Sequence, residues 1–359
     1  MNIAFRLAGE AAGTAPRLPG SLEINRRLDQ WLRFRAEGFV DVISGKVEIG
    51  QGIITALAQI AAEELDVTLD QVRMVPAQTG TSPDEAVTSG SLSIQESGTA
   101  LRHACAEART IFVAAAAERF GVDAATMTIE RGVIASGDGR QTSYWQLADA
   151  GLLDCAATGR VAPRLPGAYR IVGQPVARFD LPDKVFGAPR FVHDLELPEM
   201  LHGAILRPPS PAATLASLDE AGARGLPEVV DVVRDGSFVG VLARTERGAR
   251  DALAVLAAGA SWHEPTSLPD ERDLAGWLKV QKCESAEIDV RTTSGAGPVA
   301  RTLRATYSRP YLAHASLAPS CALAQFAGDR LSVWSHSQGI YNLRTDLALA
   351  FGLPKASVV

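Results

Sequence analysis

The stretch GKVEIGQGIITALAQIAAEELDV, Gly45 to Val67, sets a charged extended run, two glycines around a glutamine and a long apolar-periodic run in direct succession. Ile53, Ile54, Leu57, Ile60, Ala61 and Leu65 recur at helical spacing and make one apolar face, and Asp66 begins the exit. Upstream, QWLRFRAEGFVDVISGKVEIG alternates as two or three strands with Gly45-Lys46 as a turn; downstream, QVRMVPAQT reads as another strand. A strand, helix, strand unit is therefore expected by Thr79. A helix N-terminus carries unpaired N–H groups and a partial positive charge, and glycines before it let an anion or a flat polar ring reach the backbone. Gly50, Gln51 and Gly52 are candidate ligand contacts on that ground, while Glu48 reads as a solvated strand residue in preference to a catalytic carboxylate.

A second helix follows a polar loop. TSPDEAVTSGSLSIQESGTALRHACAEARTIFVAAAAERFG places Thr88, Ser89, Gly90, Ser91 and Ser93 ahead of an Ala-rich helix that stops near Gly121, and Ser93 with Glu96 has the form of a capping box. Taken alone, a glycine before a helix is usually a tight turn and a serine there usually a cap. Two such loops together suggest a large anionic, hydrogen-bonding ligand. TMTIERGVIASGDGRQ reads as a hairpin, and small residues with Pro163, Pro166 and Gly167 mark a linker.

The whole chain has 359 residues, 47% hydrophobic and 21% charged, with a net charge of -6, which fits a globular protein and argues against a nucleic-acid partner. Four scattered cysteines form no CxxC pair, so the sequence supports neither a zinc site nor an iron–sulfur cluster. Nor is there a secretory h-region or an apolar run of about 18 residues. The expectation is a cytoplasmic chain without a transmembrane segment, unless a partner carries an export signal or a membrane contact.

The organisation expected is an N-terminal arm (1–26), a segment with both loops (27–155), a linker (156–168), a domain of strands with single helices (169–262), a linker or helical insert (263–298) and a third unit (299–359). In the last, RTLRATYSRPYLAHASLAPSCALAQF and RLSVWSHSQG read as strands and IYNLRTDLALAFGLP as a helix. KASVV reads as the start of a strand, so the chain is expected to be the N-terminal portion of a longer architecture, or one half of a split one. The fold class is α+β.

KVEIGQGIITALAQIAAEELDV with TSPDEAVTSGSLSIQESGTALRHACAEAR resembles the molybdopterin-binding large subunit of the xanthine oxidase and aldehyde oxidase family of molybdenum hydroxylases. VGQPVARFDLPDKVFGAPRFVHDLELPEMLHGAILRPPSP is similar to that family's hammerhead domain, which would place 169–262 between molybdopterin-binding α/β units. A GQG unit preceding the hammerhead resembles the branch of isoquinoline oxidoreductases, membrane-linked aldehyde dehydrogenases and nicotinate dehydrogenases. The resemblance implies that Gly50, Gln51 and Gly52 contact the pterin or its phosphate tail and that Ser89, Gly90, Ser91 and Ser93 line the other side. Gln338 and Gly339, in SHSQG, would lie near the molybdenum.

It further implies a molybdenum-molybdopterin cofactor, as such or as the cytosine dinucleotide, and iron–sulfur clusters in a small partner subunit. A cytochrome acceptor, a small-molecule substrate and a complementary chain or C-terminal half complete the expected partners. The substrate would be an N-heteroaromatic compound or aldehyde, with water as oxygen source. AHASLAPSC has Ala318 where AHAxxEP has Glu, and neither the GxFGxR-like loop nor the terminal glutamate motif is present. No residue is therefore assigned as catalytic or as a metal ligand. The competing expectation is an inactive fragment, or an assembly or binding protein without cofactor. His193-Asp194, His314, His336, Trp334, Tyr341 and Cys321 read as structural first.

Overall fold

The computed structural model describes residues 17–266, 268–290, 297–298, 300–316 and 318–359. The expected arm lies outside the described residues up to position 16. From Leu18 onward it is packed: Leu18 and Leu22 are buried in the core around the short turn Gly20–Glu23. The chain forms two compact units, Met1–Leu195 with Ser320–Val359, and Glu196–Pro319.

The first unit is built on the expected strand, helix, strand unit. β1 (Leu32–Arg35) pairs antiparallel with β2 (Phe39–Ile43), and β2 pairs parallel with β3 (Val72–Val75) through α1 (Ile53–Leu65). β2 stops at Ile43, so KVEIG is irregular chain and not the strand expected. Gly45-Lys46 is no exposed turn either. A Cβ on Gly45 would meet the Pro83 carbonyl oxygen at 2.3 Å, and Lys46 is buried. Side chains point alternately from a strand, and an internal contact this close needs a bend that a regular strand does not make.

α1 packs on α2 (Thr99–Phe120), and Leu57, Ala58, Ala61 and Leu65 of the one share a buried core with Leu101, Ala104, Cys105 and Ala108 of the other. Small residues at this contact let the two helices approach closely. α2 ends at Gly121 in the left-handed conformation, as expected from the sequence. β4 (Thr128–Glu130), β5 (Val133–Ala135) and β6 (Gln141–Ser143) extend the expected hairpin to a three-stranded sheet. The Tyr144 ring then sits against Phe34 and Phe112, with centroids 4.8 and 5.1 Å away, and its hydroxyl donates to the Leu65 carbonyl at 2.9 Å. That bond satisfies one of the carbonyls left open at the end of α1, and burial raises the phenol pKa.

Residues 156–195 do not separate from this unit, and the reason is charge. Glu63 accepts from the backbone N–H groups of Arg170, Ile171 and Val172 at 2.8, 2.6 and 3.1 Å, while Asp66 pairs with Arg164 and Arg170. The compact unit therefore runs on to Leu195, beyond the linker placed at 156–168. No strand occurs between 169 and 201; Pro and Gly break the run, leaving α3 (Leu181–Phe186) and a turn at Val192–Asp194. His193 and Asp194 therefore lie in a turn and not on a strand, with the Asp194 carboxylate taking the N–H groups of Arg190 and Phe191 at 2.8 Å.

In the second unit, β7 (His202–Leu206), β10 (Phe238–Ala243) and β9 (Val229–Asp235) form one antiparallel sheet, and β8 (Thr214–Leu218) pairs with β11 (Ala260–His263). α4 (Ala221–Arg224) and α5 (Glu246–Gly259) close its core of Leu206, Val232, Val239, Val241 and Leu256. PEVVDVV, SFVGVLA and the TERG helix were all legible from alternation, helical period and the Thr245 cap, whose hydroxyl accepts from Gly248 N–H at 3.0 Å. α6 (Leu274–Lys279) is the helical part of the expected insert, of which Ser267 and residues 291–296 lie outside the described residues.

The described residues 300–316 form no strand, against expectation. Val299 and Leu317 lie outside the described residues. The chain returns to the first unit as the hairpin β12 (Ala322–Ala327) and β13 (Arg330–Ser335), followed by α7 (Ile340–Phe351). Val358 and Val359 then add to β13: Val359 N–H donates to Leu331 at 2.9 Å and Val333 N–H to Val359 at 2.8 Å.

Burial pushes the Glu63 carboxyl up, but its three N–H donors and Arg164 outweigh this and hold it below the ordinary 4.5. Asp41 behaves alike, its burial overcome by Arg73 and Arg35. In such a case the unfolded chain takes up the proton first, so the stabilisation is full above the ordinary value and is lost as pH falls through the lowered one. Denaturation midpoints should therefore drop below pH 4.5, and less steeply in Glu63→Gln. An equal drop in the variant would contradict this role.

Candidate functional site

Buried charge sets the base of both loops. Glu85 is buried and accepts from Ser21 Oγ at 2.6 Å, Ser44 Oγ at 2.8 Å, Gly45 N at 2.7 Å and Ser97 Oγ at 3.0 Å. Lys46 sends Nζ to the Glu85 carbonyl at 2.6 Å and the Val87 carbonyl at 3.2 Å. A buried charge is tolerated only when its hydrogen-bonding capacity is met, and these partners meet it with the chain on either side of the loops. Neither residue was picked out from sequence, because a Gly-Lys pair and an acid in a polar loop both normally mark solvated turns.

Thr88 joins three segments above that base. Its Oγ1 accepts from Val47 N–H at 3.0 Å, its N–H donates to the Gln338 carbonyl at 2.8 Å, and its carbonyl accepts from Gln338 Nε2 at 2.8 Å. Gly339 fits against Val87, where an added Cβ would lie 3.0 Å from Cγ2. The root of the GQG turn, the root of the serine loop and the SHSQG segment therefore meet. Tyr341 adds a hydrogen bond to the Ser82 carbonyl, which makes it neither bare core nor free surface.

The two loops differ in what they leave available. Gly90 and Ser91 both have positive φ, 65° and 59°, and the side-chain hydroxyls of Ser89, Ser91 and Ser93 make no hydrogen bond among the described residues. The expected Ser93 capping box is absent, because a π-helical turn over Ile94–Gly98 leads into α2 and leaves the Ser93 hydroxyl unused. This loop presents free donors to solvent.

The GQG turn is largely closed on itself. Gly50 and Gly52 have φ of 103° and 80°. Their N–H groups converge on Glu48 Oε1 at 2.8 and 2.9 Å, while Ile54 N–H reaches Oε2 at 3.3 Å. Glu48 is thus a cap on α1, neither a solvated residue nor a catalytic one in this arrangement. Gln51 turns back, its Oε1 accepting from Ile49 N–H at 2.6 Å and its Nε2 donating to Val47 at 3.0 Å. The donor chemistry of the serine loop fits a phosphate or pterin as it stands; that of the GQG turn fits only through groups that Glu48 and Gln51 leave free.

The remaining residues have ordinary settings. His336 Nδ1 lies 3.1 Å from the Cys321 carbonyl, and His314 is exposed in the second unit. All four cysteines are free, but only Cys105 is fully buried, and burial raises its thiol pKa. Among the described residues no group of three or more His, Cys, Asp and Glu could hold a metal, and no helix is long and apolar enough to cross a membrane.

Residues 5–174 match the family of the molybdopterin cofactor-binding domain. Over 346 residues the chain is 35% identical to a nicotinate dehydrogenase subunit of Pseudomonas putida, covering 93% of this chain and 29% of that protein. It is 28% identical to the beta subunit of isoquinoline 1-oxidoreductase of Brevundimonas diminuta, covering 72% of this chain and 37% of the relative. A membrane-bound aldehyde dehydrogenase (pyrroloquinoline-quinone) of Gluconacetobacter polyoxogenes matches at 28% over 54% of this chain and 26% of its own length. Residues 5–174 thus resemble a molybdopterin cofactor-binding domain, and the chain is similar to part of each of these enzyme subunits. It spans well under half the length of each of these three relatives.

Thr88→Val keeps the shape and removes the acceptor of Val47 N–H. A loss of about 0.5–1.5 kcal/mol is expected in denaturant unfolding, the net worth of one hydrogen bond to a half-buried donor. A change under about 0.5 kcal/mol, the usual range for surface substitutions, would show that Thr88 does not tie the segments together.

Proposed function

We propose that this chain supplies the cofactor-holding part of a molybdenum hydroxylase that oxidises an N-heteroaromatic compound or aldehyde with oxygen taken from water. The observation that carries the reading is the meeting of the GQG turn, the serine loop and Gln338 at Thr88. When bound, a molybdenum-pterin cofactor supplies two-electron oxidation chemistry that protein side chains lack. The chain's part is binding and orientation. The hydroxyls of Ser89, Ser91 and Ser93 donate to acceptors of the pterin or its phosphate tail, Gly90 lets that group approach, Gly50 to Gly52 hold its other side, and Gln338 with Gly339 fixes the edge nearest the metal.

The finer parts of the proposal are the cytosine dinucleotide form, a small iron–sulfur subunit for electron exit and a cytochrome beyond it. The remaining part of the catalytic subunit, including the general base, would come from further polypeptide. Residues 169–262 are proposed as hammerhead-like, with 169–195 lying on the cofactor-holding unit. Likeness to the nicotinate and isoquinoline enzymes supports a heteroaromatic substrate ahead of an aldehyde.

One observation favours the alternative of a chain that holds no cofactor: Glu48 already uses the donors at the start of α1. Molybdenum per chain in the natural assembly, measured by elemental mass spectrometry, separates the two. Close to stoichiometric molybdenum is expected in the wild type and less in Ser91→Ala and Gln51→Ala. Full occupancy in both variants would sink the residue assignments, and a wild type free of molybdenum would sink the function.

A further inference from the structure

The family match ends at residue 174, yet the chain just beyond it grips the GQG turn. Gln59 Nε2 donates to the carbonyls of Ile171 and Gln174 at 2.9 and 3.1 Å, and Phe179 N–H donates to Thr55 Oγ1 at 3.0 Å. Between these anchors Arg178 reaches the turn itself. Its Nη1 donates to the Gly50 carbonyl at 2.7 Å and its Nη2 lies 3.5 Å from Glu48 Oε1. Asp180 clamps the same guanidinium with bonds of 3.0 and 2.7 Å, and Lys184 holds Asp180 at 2.6 Å.

A trans peptide points its C=O and its N–H in opposite directions, and the chain has no cis peptide bond among the described residues. With Gly50 O held by Arg178, the N–H of the same peptide, that of Gln51, is turned away from the guanidinium. The other N–H groups of the turn are used: Ile49 by Gln51, and Gly50 and Gly52 by Glu48. The Gln51 N–H makes no hydrogen bond among the described residues, and an added Cβ on Gly50 would meet nothing within 4 Å. The turn is therefore open to solvent there, and holds one unused backbone donor with a set direction.

We infer that Arg178 is a positioning residue that orients the Gly50–Gln51 peptide so that the Gln51 N–H donates to an oxygen acceptor of the cofactor. The inference rests on the cofactor reading above. It assigns the ligand contact of Gln51 to its backbone and not to its side-chain amide, which the loop itself uses. It also makes the stretch after residue 174 part of the binding apparatus. Asp180 and Lys184 act on Arg178, and Glu48 shares its charge.

The test uses the natural assembly carrying Arg178→Ala, Arg178→Lys or Asp180→Asn, with molybdenum per chain, circular dichroism and hydrogen exchange of residues 48–54 as readouts. Arg178→Ala should hold about tenfold less molybdenum, the scale set by loss of a charge-assisted bond. Its circular dichroism should be unchanged, its faster exchange confined to 48–54, and its molybdenum content partly restored when guanidinium ion is present during cofactor loading. Arg178→Lys and Asp180→Asn should lose less. Full molybdenum in the variants that fold overturns the role of Arg178 while the cofactor reading stands. Loss without rescue and with exchange raised throughout the unit overturns positioning in favour of a general packing role. A wild-type assembly without molybdopterin overturns the cofactor reading and this inference together.

Discussion

Thr88 takes the Val47 N–H on its hydroxyl and exchanges two hydrogen bonds with Gln338, so segments roughly 40 and 250 residues away along the chain end on one buried residue. Such contacts are entropically costly to close and persist only if the groups beneath them are fixed. Glu85 and Lys46 fix them, because each is a buried charge whose partners are backbone and hydroxyl groups of the loops. The free serine hydroxyls above owe their placement to this layer.

Much of the fold was legible because its elements obey simple periods. α1 showed its apolar stripe, α2 its alanines and closing glycine, and β9 and β10 their alternation and turn. Legibility failed where tertiary contacts override the local pattern. KVEI alternates like a strand, but Gly45 packs on the Pro83 carbonyl and Lys46 turns inward, so the chain bends. The Ser93 and Glu96 spacing looks like a cap, but a π-turn replaces it. In 169–201, Pro and Gly fragment what looked like strands, and Glu63 holds the residues back against α1.

The backbone of the two candidate loops was legible in outline, and their hydrogen bonding was not. Gly50, Gly52, Gly90 and Ser91 have positive φ, and Gln338 hydrogen-bonds Thr88 at the root of the serine loop. What no spacing rule could show is which donors remain. Glu48 reads as a surface acid, but three N–H groups at the start of α1 close on it. The two loops differ in what they leave free: three hydroxyls in the serine loop, and in the GQG turn the Gln51 N–H, on the peptide whose carbonyl Arg178 holds.

If the serine loop, the GQG turn and Gln338 hold a single ligand, anomalous diffraction at the molybdenum edge from crystals of the natural assembly tests it most directly. The predicted result is one molybdenum peak beside Gln338, with pterin density running between the serine loop and the Gly50–Gln51 peptide. A molybdenum peak remote from Gln338 and both loops would contradict that single-ligand site, and so would pterin density that leaves either loop in solvent.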